Sequence, residues 1–230
     1  AEMFAQGNER LQTLEQGRFA VERLSRELRM AVPNSVRTVK PGPGVLQCIE
    51  FVPTRAGGRY YRGPGGQKLT LISFKQDWET EANDRAFIYA TQSPQVYTNT
   101  AERYVSLGAG QAPDPDFITQ LSYTGTIKGN SPQRRVYIGR QPVSYCLEGS
   151  QLWRYSSYGW EATQPTPGSG LFNGVLMAEK LNNTDSGFFP FAVNAATLQR
   201  TSTVTLYLEF MSNTTEPMFF NYEVKIPNAP

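Results

Sequence analysis

Histidine is absent from the 230 residues. That excludes Ser-His-Asp and Cys-His catalysis, histidine-ligated zinc and imidazole pH switches. Cysteine occurs only at Cys48 and Cys146, so a metal site built on them would lack its other ligands. Charge is sparse and balanced. Only 18% of residues are charged and the net charge is +2, which excludes a strongly basic nucleic-acid binder and an acidic tail. No run of eighteen apolar residues occurs, so no segment reads as a spanning helix. Proline is missing before Pro33 and frequent after it.

That last asymmetry divides the chain. In residues 1–32, Leu14, Gly17, Val21, Leu24, Leu28 and Ala31 recur at spacings of three and four, one narrow apolar stripe on a helix. Glu22 and Arg26 stand at a supporting i, i+4 spacing. Pro33 should stop the helix, because it pushes Val32 out of helical geometry. The start carries no cap residue, so the expectation is that residues precede Ala1 in the full protein. Leu24, Leu28 and Val32 are expected in the chain's own core. Phe4, Leu11 and Leu14 are the candidates for contacts with other subunits.

From Val36 onward the text reads as strands and turns. Strands are expected at 36–40, 45–52, 68–75, 86–91, 117–127, 134–139, 142–148, 151–156, 203–211 and 218–226. Residues 171–181 fit a short helix or a strand. The stretches 41–44, 57–66, 108–116 and 164–170 read as loops. One helix before a β-rich body is an α+β pattern, with residues 1–32 and 33–230 forming one structural unit.

Both cysteines lie in apolar, strand-like stretches, VLQCIEFV and PVSYCLEG. They are either buried thiols or one long-range disulfide. Six lysines against sixteen arginines, with many Ser, Thr, Asn and Gln, favour an exported domain and so the disulfide.

Two aromatic clusters are candidate binding faces. GGRYYRGPGG (57–66) interleaves Arg59 and Arg62 with Tyr60 and Tyr61, and YSSYGW (155–160) gathers Tyr155, Tyr158 and Trp160. Such rings can cover a sugar or stack on a base. The ordinary alternatives are a solvated turn for the first and core filling for the second. Arg134, Arg135 and Arg140 read as a solvated edge, and Asp114-Pro115-Asp116 as a turn too poor in oxygens for calcium. No specific nucleic-acid partner and no cofactor are expected, and no spacing proposes a catalytic scheme. Sequons begin at Asn182 and Asn213.

LEQGRFAVERLSRELRMAVPNSVR (14–37) resembles the helix exit of type IV minor pilins and type II secretion pseudopilins. PVSYCLEGSQLWRYSSYGW (142–160) is similar to a hairpin of the pseudopilin J and minor pilin W group. With the ending VKIPNAP (224–230), the resemblance is nearest to the MshO-like minor pilins of mannose-sensitive haemagglutinin pili. It implies a pilin-like fold, with a long N-terminal helix lying on an antiparallel sheet. It implies a non-enzymatic subunit of the complex that initiates or caps a type IV pilus, with a contribution to adhesion. It also implies an apolar anchor and a processed, methylated N terminus upstream of Ala1. The head would be periplasmic before assembly and extracellular on the pilus afterwards. Implied partners are other minor pilins, the major pilin, the inner-membrane assembly machinery and a surface glycan. A glycan-binding tip adhesin and a J-class secretion pseudopilin are the alternatives.

Overall fold

The computed structural model describes residues 2–128, 130–195, 202–211 and 218–226, and the side chains of residues 2–6, 9 and 62 lie outside the description. Helix α1 runs Glu2–Arg29. At a rise of 1.5 Å per residue it is about 42 Å long. It ends at Arg29, before Pro33, because Met30 and Ala31 close a tighter turn onto the Glu27 and Leu28 carbonyls. The chain then leaves along an isolated bridge, Ala31 opposite Pro53.

A five-stranded antiparallel sheet has the order β1 (Arg37–Val39), β2 (Val45–Phe51), β9 (Val143–Glu148), β10 (Gln151–Ser156), β13 (Val175–Ala178). A three-stranded antiparallel sheet has the order β14 (Phe191–Asn194), β15 (Ser202–Phe210), β16 (Met218–Ile226). The sheets meet where β14 contacts β1 and β2, and α1 contacts β13, β15 and β16. The core they enclose takes Ala20, Val21, Leu24 and Leu28 from the helix, Tyr145 and Leu147 from β9, and Leu206, Leu208 and Phe210 from β15. Gly17 permits close approach there: a Cβ at that position would stand 2.6 Å from the Phe220 ring and 2.7 Å from the Phe210 ring. Gln47 joins the sheets, because its buried amide exchanges two hydrogen bonds with the backbone of Phe191.

Strand β9 is buried along almost its whole length, since both faces of the five-stranded sheet are covered. One face meets the helix. The other carries Cys48, Cys146, Tyr155 and Leu171.

Between β2 and β9 the chain makes a second structure. Strands β3 (Thr54–Gly65), β4 (Lys68–Ser73), β5 (Arg85–Phe87), β6 (Tyr104–Leu107), β7 (Ile118–Thr124) and β8 (Arg135–Gly139) close an antiparallel barrel of order β3-β4-β7-β6-β5-β8. Closure leaves the barrel no free edge. Its interior holds Leu69, Leu71, Leu121, Val136, Ile138 and Tyr60. Gly58 faces inward, where a Cβ would lie 2.4 Å from the Ile72 carbonyl oxygen. A one-turn helix, α2 (Ser93–Tyr97), and a third apolar cluster of Val32, Val52, Phe87, Val96 and Tyr97 join barrel to sheet.

The first helix and most expected strands stand where the sequence places them, within a residue or two at many ends. The clearest correction is residues 57–66, expected as a loop and found inside the long strand β3 and its turn. Residues 171–181 contribute strand β13.

Candidate functional site

Three regions carry the residues singled out from the sequence: the helix face, the disulfide, and the aromatic segment after β10. Along α1, burial starts at Thr13, while Gly7, Asn8, Arg10, Leu11 and Gln12 are all exposed. Leu11 is 56% exposed. Leu14 is different, because it is half-buried against the chain's own core. Leu14, a candidate for subunit contacts, thus also packs within the chain. The side chain of Phe4 lies outside the described residues. Phe19 was not singled out, yet it is 58% exposed. It is nine residues from Leu28, about two and a half helical turns, so it faces away from the core. Leu24, Leu28 and Val32 are fully buried, as expected.

Cys48 and Cys146 form a disulfide. They are directly opposite in the β2–β9 pair and fully buried. The 98-residue separation encloses the whole barrel, so the bond clamps the neck through which the chain leaves and rejoins the sheet.

Residues after β10 strap the barrel to the sheet. Tyr155 is buried and donates its hydroxyl to Glu148. Tyr158 donates to Glu50 at 2.9 Å and shares a hydrogen bond with Ser144. Trp160 donates its indole N–H to the Asn83 carbonyl, on the barrel side, at 2.7 Å. The Arg85 guanidinium lies 3.9 Å from the Trp160 ring and 4.0 Å from the Tyr104 ring. Arg37 lies over Tyr97 and bonds Glu50 and the backbone of Glu161 and Ala162. All three rings of the candidate ligand face, Tyr155, Tyr158 and Trp160, thus bond within the chain and form a structural joint. Tyr60 is likewise committed within the chain: it is 4% exposed inside the barrel and accepts the Ser131 N–H. Tyr61 alone of the five rings stands open, at 52% exposure. The Arg62 side chain lies outside the described residues.

The joint perturbs its charges. Burial pushes the Glu50 carboxyl above its ordinary 4.5, with Arg37 and Tyr158 pulling the other way. Burial lowers the Arg85 guanidinium to about 10. A cleft of about 320 Å³ opens where helix, barrel and sheet meet, lined by Glu27, Glu81, Asp84, Arg140 and Arg154 among others. Most of its charge is paired: Arg154 bonds Glu27 at 3.2 Å, and Arg55 bonds Asp84 at 2.5 Å and Glu81 at 2.9 Å. Among the described residues no group of three acids, cysteines or histidines is placed to hold a metal ion, and no helix is long and apolar enough to cross a membrane. Asn182, which opens a sequon, spends its amide on Glu209, and Asn213 lies outside the described residues.

Family models, curated proteins and solved structures yield no match to this chain.

Proposed function

We propose that the protein is a non-enzymatic minor pilin that takes part in the complex initiating or capping a type IV pilus. The observation that carries this reading is the division of labour along α1. Its second half seals onto the sheet, while Leu11 and its neighbours stand clear of the body and Phe19 faces outward. Leu11 and Phe19, exposed on this chain, would gain by packing on another helix, because burial of apolar area drives association. The barrel leaves the sheet at the C-terminal end of α1, where the Thr54 N–H donates to the Met30 carbonyl. It therefore lies at the end of the molecule away from the exposed helical turns. In this reading the helix inserts among other subunits, the disulfide-clamped sheet fixes the orientation, and the barrel is carried outward. The subunit would be anchored in the inner membrane with a periplasmic head before assembly, and exposed on the fibre afterwards.

Photocrosslinking tests it. A benzophenone amino acid at position 11, in the full protein expressed in its own cell, should capture other pilin-class subunits. The same group at position 61, on the barrel, should not. Capture of pilin subunits from position 61 and none from position 11 would reverse the orientation and remove the basis of the reading.

A further inference from the structure

The barrel carries a groove of about 740 Å³ where β6 and β7 meet the loop 108–112. That volume lies within the roughly 300–1,000 Å³ typical of small-molecule sites. The groove shares no residue with the aromatic clusters or with the charged cleft at the joint. Its floor follows from strand alternation. Gln120, Ser122 and Thr124 are exposed at every second position of β7, while Thr119, Leu121 and Tyr123 between them are buried. Ser106 of β6 stands directly opposite Thr124. The floor from Gln120 to Thr124 is about 13 Å long. Its wall, the loop 108–112, is braced from two sides. Thr80 is buried, and its hydroxyl donates to the Gly108 carbonyl at 2.7 Å and accepts the Gln111 N–H at 2.9 Å. The Gln111 amide donates to the Gly108 and Ser122 carbonyls and accepts the Ser122 N–H at 2.6 Å. Gln111 is thus spent on tying wall to floor. A groove fixed in this way before a ligand arrives pays little for ordering on binding.

Tyr123 points to an occupant. Its ring packs in the barrel core and the residue is only 8% exposed, yet it lines the groove. Its hydroxyl stays accessible and has no hydrogen-bond partner among the described residues. A buried tyrosine ordinarily finds a partner for that group, as Tyr60 does in the same barrel with the Ser131 N–H. The side chains of Ser106, Gln120, Ser122 and Thr124 are uncommitted as well. Each of these five side chains can both donate and accept a hydrogen bond. Among the described residues no charged side chain lines the groove, so an ionic ligand would be buried without a counter-charge. A ligand that offers hydroxyls along its length and carries no charge satisfies every one of them.

We propose that this groove binds a neutral oligosaccharide. The Tyr123 hydroxyl pairs with a sugar hydroxyl at the buried end, and Ser106, Gln120, Ser122 and Thr124 follow the sugar chain along β7. Ala109 and Ala112 of the loop offer apolar surface to the C–H faces of the rings. The inference does not rest on assembly into a fibre, and its failure would leave that reading untouched.

The test screens the whole chain on an array of neutral, sialylated and sulfated oligosaccharides, then titrates the neutral oligosaccharide of strongest signal by calorimetry. Binding to neutral members is expected, and it should be the same at low and high salt because no charge takes part. Tyr123→Phe keeps the ring and removes only the hydroxyl. It should weaken binding about fivefold and melt with the parent, because that hydroxyl holds nothing in the free chain. A Cβ at Gly108 would meet no atom within 4 Å, so Gly108→Leu can fill the groove without straining the loop, and it should abolish binding. Arg26→Ala, on the helix, should leave binding unchanged. The proposal is overturned if no neutral oligosaccharide binds, if the sialylated or sulfated members bind better, or if Tyr123→Phe or folded Gly108→Leu keeps parental affinity. It is also overturned if an uncharged Ser-Gly repeat peptide binds more tightly than any neutral sugar, which would make the groove a peptide site.

Discussion

The body and the barrel are built from opposite kinds of sequence. The body's core joins the two ends of the chain: Val21 and Leu24 from the first helix meet Leu208 and Phe210 from a strand near the C terminus. The barrel comes from one uninterrupted stretch, Thr54–Gly139. The barrel can therefore close once its own residues are made, while the helix waits for β15 and β16. Contacts distant in sequence cost more loop entropy before they are rewarded. What unites the two is a neck held by a disulfide, an apolar cluster and two cation–π contacts. The molecule is thus a sheet with a second core inserted through one narrow gap, and its specific interactions concentrate at that gap.

The strongest way to break that union is to remove the clamp. If body and barrel unfold together, replacing Cys48 and Cys146 by Ala should cost roughly 4 to 5 kcal/mol of loop-closure stabilisation in denaturant melts. A loss below about 1 kcal/mol would mean that the folded barrel holds its own ends together while the body melts. The next effect is Leu24→Ala, which opens a cavity in the body core and should cost about 3 kcal/mol. Amide exchange by mass spectrometry should then show protection falling in barrel strands as well as in α1. Gly58→Ala approaches the same union from the other side. Its added Cβ meets the Ile72 backbone, which has little room to yield, and the cost should be about 1–3 kcal/mol. Exchange confined to the barrel in that variant would show two independent units.

The smallest effect sharpens the joint itself. Glu50 titrates above its ordinary 4.5 in the folded chain because it is buried. The folded state then holds its proton more tightly than the unfolded state. Its contribution is fully present below about pH 4.5 and is lost as pH rises through the folded value. Relative to Glu50→Gln, the parent should therefore lose melting temperature between mildly acidic and neutral pH. A parent that gains on Glu50→Gln over that interval would show that Arg37 and Tyr158 outweigh burial.

Much of the body was legible. The stripe from Leu14 to Leu28, the alternation of β15 and the apolar surroundings of both cysteines each carry their signal within a few residues. The barrel was less so. In β3 the inward positions are Ala56, Gly58 and Tyr60, too small and too mixed to show a period of two, and GPGG reads as a turn. Pairing with β4 and β8 overrides that local preference. Strand β6 spans four residues, too short for any periodic signal, whereas β5, expected at 86–91, stands at Arg85–Phe87. The cluster of Tyr155, Tyr158 and Trp160 was visible as a cluster, but its role was not. Glu50 lies 108 residues from Tyr158 and Asn83 lies 77 from Trp160, so only the fold brings these partners together. Phe19 escaped because one aromatic among charges on a helix has no periodic companion. The signal that would have found it is its half-turn offset from Leu28.

The most direct test of the functional account is to replace Leu11 and Phe19 together by Asp in the source cell and to count surface fibres. Both side chains are more than half exposed, so the purified double variant should melt with the parent. The account expects fibres to be lost while that folded head persists. Parental numbers of fibres, still carrying the variant subunit, would contradict it.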